Sequence, residues 1–237
     1  MASLSQTALN TPQKIGILGG TFDPPHIGHL KLATHFAKTL NLDTLLLVPS
    51  GEPWQKGAHI TSANIRYQLT EAAGIDLARA FLYLKIPTQV GIDRIEVDRA
   101  GPSYAIDTAQ ALRERFGPTA NLIWLMGADS LLTLPSWHRW LEFTQLINIA
   151  VASRPNYQHT AQLDTALSAY ITGHQVIEAK DLEKYPSGHI WIDEHLAINL
   201  SSTDLRKHLH SSARGSIDAE QIPSHTLEII NKLGLYQ

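Results

Sequence analysis

The sequence contains no cysteine among its 237 residues, and this absence removes several kinds of chemistry at once. Without thiols the chain has no disulfide bond, no thiolate metal site and no cysteine nucleophile. Basic residues are not in excess, because 19 Lys and Arg stand against 22 Asp and Glu, so the composition offers no basic surface for nucleic acid. No apolar run approaches the roughly 20 residues that a membrane-spanning helix needs. Together these absences predict a cytoplasmic protein that binds neither nucleic acid nor a membrane.

The first thirteen residues are uncharged and rich in Ser, Thr, Asn and Gln. They have neither the basic start and apolar stretch of a secretory signal nor the arginines of an organelle transit peptide. We therefore expect a disordered tail over residues 1–13 and one domain over residues 14–237, which is long enough to bury a sizeable core.

Short apolar runs alternate with helical patterns through most of this domain. Such an alternation predicts an α/β fold, a Rossmann-like, doubly wound parallel sheet that is covered on both faces and has right-handed crossovers. The predicted strands are residues 15–18, 44–48, 81–84, 122–126, 147–152 and 189–192, and the predicted helices are residues 30–40, 62–78, 104–116, 131–141, 202–210 and 224–232. Ligands of such sheets bind beyond the carboxyl ends of the strands.

The C-terminal part of the chain is expected to be a small helical portion. Gly234 follows its last predicted helix at the position where a glycine cap is common. A polar stretch at residues 156–161 predicts an excursion over the surface after the fifth strand.

The most informative segment is GGTFDPPHIGH at residues 19–29, which lies between the first predicted strand and the first predicted helix. A glycine-rich turn lets backbone N–H groups approach a phosphate, and the positive end of the following helix favours an anion. His26 and His29 are three residues apart and therefore lie on one helical face. The combination predicts chemistry on a phosphate, and the alternative is a capped helix start with two exposed histidines.

This segment resembles the GxFDPxHxGH signature of the HxGH nucleotidyltransferase superfamily. Near the other end of the chain, INLSSTDLR at residues 198–206 resembles that superfamily's second signature, SSTxxR. The HxGH motif alone would be a weak signal, because four residues match by chance in many proteins. The two signatures in the family's order are specific, and they imply a nucleotidyltransferase type of α/β fold.

The middle of the chain resembles the nicotinate mononucleotide adenylyltransferases within that superfamily. RAGPSYAIDT at residues 99–108, GADS at residues 127–130 and WHRW at residues 137–140 are similar to that family's R-x-GPSYTxDT and GxDS…WHxW segments. SRP at residues 153–155 and the C-terminal stretch at residues 222–236 also resemble the family, so the likeness covers about residues 14–236. Phosphopantetheine adenylyltransferases share the first motif but are shorter and lack the GPSY and WHxW segments.

The resemblance implies that ATP and nicotinate mononucleotide react to give nicotinate adenine dinucleotide and pyrophosphate. His26, His29 and Arg206 are then the expected catalytic residues, and Mg²⁺ is expected to arrive with ATP, held largely by its phosphates. The expected ATP-binding residues are Gly19, Gly20, Thr21, Phe22, Lys56, Gly127, Asp129, Ser201, Ser202 and Thr203.

Three of these ATP-site assignments have a structural alternative. Ser201 to Thr203 can form a helix N-cap, which uses the same N–H groups as a phosphate site. Asp129, expected at the ribose hydroxyls, can cap a helix over residues 130–134, and Lys56 can be a solvated loop lysine.

The expected substrate-binding residues are Tyr104, Ala105, Ile106, Thr108, Trp137 and His138. Trp137 offers a face for stacking on the pyridine ring, although a tryptophan is often core. Ala105 stands where the family commonly has threonine, so backbone N–H groups of Ala105, Ile106 and His138 are expected to hold the nicotinate carboxylate. Tyr104 and Thr108, like Asp107, can also be ordinary helix-start residues.

Other functions have less support in the sequence. The glycines of the first turn do not match G-x-G-x-x-G, and no G-x-x-x-x-G-K-[ST] occurs, which argues against a dinucleotide-dependent oxidoreductase and a P-loop enzyme. The twelve histidines are scattered without an HExxH motif, so no protein-bound metal is expected. An enzyme for nicotinamide mononucleotide or for both mononucleotides, and a non-catalytic nucleotide sensor, remain open alternatives, as does a homo-oligomer.

Overall fold

The structure is a computed structural model that describes residues 12–54, 60–153, 164–196, 205–206 and 220–236. Its centre is one parallel sheet, whose strands are β1 (Lys14–Gly20), β2 (Thr44–Pro49), β3 (Gln89–Ile92), β4 (Asn121–Gly127), β5 (Asn148–Ala152), β6 (Gln175–Val176) and β7 (Ile190–Asp193). The strand order is β3-β2-β1-β4-β5-β7-β6, which confirms the predicted doubly wound fold.

Helices cover the sheet on both sides. They are α1 (Ile27–Thr39), α2 (Ala63–Leu84), α3 (Ala105–Phe116), α4 (Ala128–Thr133), α5 (Trp140–Leu146), α6 (Thr165–His174) and α7 (Ser224–Leu233), with 3-10 turns at Leu134–Ser136 and Ala179–Lys184. In the part of the chain that the structure describes, no helix is both long and apolar enough to cross a bilayer.

Alternating side chains of the strands separate the core into two layers. In β2, Leu46 and Val48 pack with α3 and α5 on one face of the sheet, whereas Leu45 and Leu47 pack with α1 and α2 on the other. Because the central strands are apolar on both faces, the sheet is buried on both sides, as the near-continuous apolar runs predict.

The predicted strand over residues 81–84 is wrong, because these residues form the last turn of α2. A short apolar run has no periodicity that distinguishes a strand from a helix. Phe81 is buried, but the side chains of Leu82 and Tyr83 are 81% and 86% exposed, so this run is apolar without being core. The strand itself follows as β3, after Lys85 ends the helix in a left-handed conformation with φ of 56°.

The predicted helix over residues 131–141 is also wrong as a single element. The chain forms α4, the 3-10 turn and α5 there, since Pro135 lacks the N–H that a continuous helix needs and Arg139 takes a positive φ of 53°. Helix α6, strand β6 and the 3-10 turn at Ala179–Lys184 were not predicted. Helix α7 and its cap at Gly234, with φ of 61°, are confirmed.

Parts of three other predictions lie outside the described residues. They are residues 1–11 of the predicted tail, the surface excursion at residues 156–161, and all of the predicted helix at residues 202–210 except Leu205 and Arg206, which are helical.

The order of the strands places a crevice at the carboxyl end of β1. This strand pairs with β2 on one side and with β4 on the other, so the chain winds away from β1 in two opposite directions. The loops that leave β1 and β4 therefore separate, which is where ligands of such sheets bind. A side chain at Gly19 cannot be accommodated there, since its Cβ would lie 2.6 Å from Cζ2 of Trp124.

We expect Gly19→Ala to reduce the free energy of unfolding by about 1–3 kcal/mol, because the Trp124 ring is packed against Phe143 and cannot move away without strain. Gly173→Ala is the matched control. It places the same methyl group on helix α6 with no atom within 4 Å, and should cost no stability. Urea unfolding of both variants measures the difference, and equal stabilities would contradict this account of Gly19.

Candidate active site

A cavity of about 560 Å³ opens at the carboxyl edge of the sheet between the ends of β1 and β4. Its walls come from the turn after β1, the start of α1, the turn after β4 and the segment before α5. The predicted site residues that line it are Gly19, Gly20, Thr21, Phe22, His26, His29, Ala105, Gly127, Asp129, Trp137, His138 and Arg206. Predicted ATP-binding residues and predicted substrate-binding residues thus line one cavity.

His26 and His29 hold each other in a reciprocal cap at the start of α1. The backbone N–H of His29 donates to Nδ1 of His26 at 3.3 Å, and the backbone N–H of His26 donates to Nδ1 of His29 at 3.1 Å. The two rings stack with their centroids 3.7 Å apart. The helix cap and the paired histidines are therefore one arrangement. The capped start of the alternative is present, but neither histidine is exposed, since His26 is buried and His29 is half-buried.

This arrangement fixes the protonation of both rings. Because each Nδ1 accepts a hydrogen bond, the proton of each neutral ring is on Nε2. Burial lowers the pKa of His26 to about 4. Burial and the neighbouring His26 hold the pKa of His29 well below its usual value. In the free protein at neutral pH, the pair is uncharged and has two Nε2–H donors.

Arg206 joins the C-terminal signature to the first one. Its Nη1 donates to the backbone carbonyl of Asp23 at 2.5 Å and lies 3.8 Å from the Asp23 carboxylate. Arg206 is thereby held against the first signature, and it lines the same cavity as the histidine pair. This contact brings together residues that are 183 positions apart in the chain.

Another part of the cavity wall is formed by the N-terminus of α3 and by aromatic rings. Tyr104 precedes the helix and gives no side-chain cap, so within the described residues the first N–H groups of α3, beginning at Ala105, have no side-chain acceptor. His138 packs on Tyr104 with ring centroids 4.4 Å apart, and Trp137 also lines the cavity. Uncapped N–H groups beside flat aromatic faces suit a planar ring that carries an anionic group.

Three predicted substrate-binding residues do not line the cavity. The side chain of Ile106 is fully buried in the core. The Thr108 hydroxyl donates to Glu96 and accepts from Arg99, both at 2.7 Å, so this side chain supports neighbouring residues. Tyr104 packs against His138, which does line the cavity.

Asp129 lies in the first turn of α4, where Gly127 is the N-cap residue. The alternative that Asp129 caps this helix is therefore wrong. Asp129 lines the cavity just after the end of β4, and the glycines of the turn after β1 line the same cavity.

Lys56, Ser201, Ser202 and Thr203 lie outside the described residues. Their expected contacts with phosphate stay predictions.

Arg66 is a residue that the sequence analysis missed. Its fully buried guanidinium donates to the carbonyls of Thr21 at 2.9 Å, Ser50 at 2.5 Å, Gly51 at 2.6 Å and Thr61 at 2.8 Å. Its position in the sequence was a usable signal, because residues 66, 69, 73 and 77 form the buried stripe of α2 and an arginine there needs many partners.

Glu96 is the second residue that was missed. It lines the cavity and is 6% exposed, and its carboxylate accepts from Thr108. Burial raises its pKa, while hydrogen bonds from Thr108 and the charge of Arg99 oppose that shift. No motif in the sequence marks this glutamate, because the fold alone turns it inward.

The cytidylyltransferase-like family matches residues 17–208 of the chain. A relative from Aeromonas salmonicida, named a probable nicotinate-nucleotide adenylyltransferase, is 38% identical over 223 residues, which cover 94% of this chain and 97% of the relative. One of the same name from Pectobacterium atrosepticum is 33% identical and is covered over 95% of this chain and 100% of its own length. The chain belongs to the nicotinate-nucleotide adenylyltransferase family.

The solved structures agree at the level of the fold. The nicotinic acid mononucleotide adenylyltransferase of Plasmodium falciparum, complexed with NaAD, aligns with a TM-score of 0.64 over 94% of this chain and 97% of that one. At 14% sequence identity, the likeness shows a shared fold. It agrees with the nucleotidyltransferase type of sheet expected from the two signatures.

The described residues contain no cluster of three or more His, Cys, Asp or Glu side chains that could hold a metal ion. A nucleotidyltransferase of this family uses a divalent cation together with ATP. In the described part of this chain the donors suit a cation that is coordinated mainly by the triphosphate.

The lowered pKa of His26 predicts a pH dependence of stability. Between pH 6.5 and about 4 the unfolded state binds a proton that the folded state does not, so stability is lost as the pH falls through this window. A shift from 6.5 to about 4 corresponds to a loss of up to about 3 kcal/mol from His26 alone. Above pH 7 the residue contributes no pH dependence.

Urea unfolding of the wild type and of His26→Asn between pH 7 and pH 4 isolates this contribution. Asparagine keeps a capping acceptor but has no titratable ring, so its stability should fall less steeply. Parallel pH profiles of the two proteins would contradict the assignment.

Proposed function

We propose that this protein transfers the adenylyl group of ATP to nicotinate mononucleotide, giving nicotinate adenine dinucleotide and pyrophosphate. A phosphate oxygen of the mononucleotide forms a bond to the α-phosphorus, and the bond from that phosphorus to the bridging oxygen of the β-phosphate breaks. Pyrophosphate leaves with the electron pair. The observation that carries the proposal is a single cavity lined by the histidine pair, by Arg206 and by Ala105 at the uncapped start of α3.

The histidine pair and Arg206 supply positioning and charge stabilisation. The Nε2–H groups of His26 and His29 are preorganised donors for phosphate oxygens, because the reciprocal cap fixes both rings before ATP binds. Arg206 contributes a permanent charge beside them. No covalent nucleophile is required for an in-line displacement between two bound substrates.

Glycines and Asp129 are suited to hold the remainder of ATP. Gly19 and Gly20 let the backbone approach the phosphates, and the Asp129 carboxylate can accept hydrogen bonds from ribose hydroxyls. A bound divalent cation would neutralise charge on the triphosphate. We propose Mg²⁺ for this role.

The start of α3 is suited to the nicotinate carboxylate. The N–H groups of Ala105 and Ile106 donate without any side-chain hydroxyl, which accounts for an alanine where the family commonly has threonine. Trp137 provides the face for the pyridine ring. A site made of donors favours a carboxylate over an amide, whose NH₂ group needs an acceptor.

A second candidate function has one observation in its favour. Glu96 is a carboxylate that lines the same cavity and can accept a hydrogen bond from the NH₂ group of nicotinamide. One oxygen of this carboxylate already accepts from the Thr108 hydroxyl, so we place the acid substrate first. A cytoplasmic location and a homo-oligomer stay predictions.

Pyrophosphate release from ATP and Mg²⁺, with nicotinate mononucleotide and nicotinamide mononucleotide offered separately, tests the substrate. We expect a strong preference for the acid. Comparable rates with both would indicate dual specificity, with Ala105 and Glu96 as the first positions to exchange. Release with neither would contradict the proposed function and favour a nucleotide sensor or another phosphorylated acceptor.

We expect His29→Ala to lower turnover by about 10²–10³-fold, the usual effect of removing one preorganised donor to a transition state. The fold should be retained, because the ring is at the protein's cavity wall and not in either core layer. His174→Ala, on the exposed end of α6 and away from the cavity, is the control and should keep wild-type turnover. Near-wild-type rates in His29→Ala would disprove the mechanism.

A further inference from the structure

We propose that Tyr236 is a positioning residue for catalysis, whose hydroxyl holds Asp23 and thereby sets the position of Arg206. This inference rests on the proposed function, because it assigns a task to the arginine that faces the ATP phosphates. It concerns the contact between the segment that follows α7 and the first signature.

The carboxylate of Asp23 is fully buried and has partners from three segments. The Tyr236 hydroxyl donates to Oδ1 at 2.5 Å, and the backbone N–H of Thr61 donates to Oδ2 at 3.3 Å. Nη1 of Arg206 lies 3.8 Å from Oδ2 and donates to the Asp23 carbonyl. Asp23 thus connects the C-terminal tyrosine with the arginine of the second signature.

Contacts at both ends of α7 fix the position of Tyr236, which follows this helix. Asp76 of α2 accepts from the Ser224 hydroxyl at 2.9 Å and from the His225 backbone N–H at 3.0 Å, which fixes the start of α7. Gly234 ends the helix in a left-handed turn, and its backbone direction carries the next two residues back to the body of the protein. The hydroxyl therefore reaches Asp23 through a defined helix length and a defined cap.

The same element also packs against the residue before Arg206. Leu205 is 1% exposed and forms an apolar cluster with Leu69, Ile222 and Ile230. Helix α7 thus fixes Arg206 in two ways, through the backbone at Leu205 and through Asp23. The two contacts act on opposite ends of the arginine, its main chain and its guanidinium.

Removal of the hydroxyl has a specific consequence for this network. Oδ1 of Asp23 would lose its short hydrogen bond in a buried site, where an unpaired charge is costly. Among the described residues, Arg206 is the cation within 4 Å of this carboxylate, so the carboxylate would shorten the 3.8 Å separation into a close ion pair. The guanidinium would then be drawn away from the phosphates. Burial and the Asp23 charge raise the pKa of Tyr236, so the hydroxyl stays a donor throughout the working pH range.

The test is Tyr236→Phe, which removes only the hydroxyl, with Tyr83→Phe as the matched control on the exposed end of α2. We expect kcat/KM for ATP to fall by about tenfold in Tyr236→Phe, in keeping with a lost hydrogen bond to a charged group, while KM for the mononucleotide changes less than twofold. Tyr83→Phe should match the wild type. A Tyr236→Phe protein within twofold of the wild type would overturn the proposal.

A double-mutant cycle separates positioning from general support of the fold. If Tyr236 acts through Arg206, its hydroxyl should matter little once that arginine is changed, so Tyr236→Phe should cost less than about twofold in an Arg206→Lys background. A full tenfold loss in that background would overturn the proposal, because the two effects would then be independent.

Calorimetric titration with ATP keeps this inference distinct from the proposed function. A wild type that binds ATP but releases no pyrophosphate with nicotinate mononucleotide would contradict the proposed function alone. Weaker ATP binding in Tyr236→Phe than in Tyr83→Phe would still support the positioning role. Equal binding in the two variants, or no binding of ATP to the wild type, would overturn it.

Discussion

The buried guanidinium of Arg66 is the interaction on which the cavity depends. It donates to carbonyls of the loop after β1, of the loop after β2 and of the segment before α2, so one side chain fixes the relative positions of three segments. Burial lowers its pKa, while Asp23, Tyr236 and Glu96 raise it. A buried cation is tolerated only when its N–H groups are satisfied, and here that requirement specifies the loop conformation. Thr21 lies in the loop that leads to the histidine pair, and Ser50 lines the cavity. The positions of both segments therefore depend on Arg66.

The proposed function requires a site that binds anions, although the composition gives no strongly positive surface. The chain has a formal net charge of −3, and the paired histidines are neutral in the free protein. In the proposed function, the attraction for phosphate and carboxylate comes instead from the Nε2–H groups of the histidine pair, from the N–H groups at the start of α3 and from Arg206. Such donors are fixed before the substrates arrive, so little reorganisation is needed when charge moves in the transition state. Composition is therefore a poor guide to this kind of anion site.

The parallel sheet and the glycine-rich turn at its centre were predictable, because apolar runs and glycine turns are features of the local sequence. The same local patterns failed at residues 81–84, where an apolar run is the exposed end of a helix, and at Pro135, which divides a predicted helix. Arg66, Glu96 and Tyr236 were not predicted as site residues. Their importance comes from partners that are far away in the chain, such as the 213 positions between Tyr236 and Asp23, and periodicity contains no information on such pairs.

The strand order has a consequence for how the protein folds. Strand β1 is synthesised before its partner β4, which follows about 100 residues later. During synthesis, the backbone N–H and C=O groups on one edge of this apolar strand therefore stay unpaired. Sheets with such distant pairings fold slowly and expose edges that can aggregate. The first signature acquires its hydrogen bond from Tyr236 only after the 213 positions that separate Tyr236 from Asp23 have been synthesised. A nascent chain therefore contains the glycine-rich turn long before the contacts of the candidate site are complete.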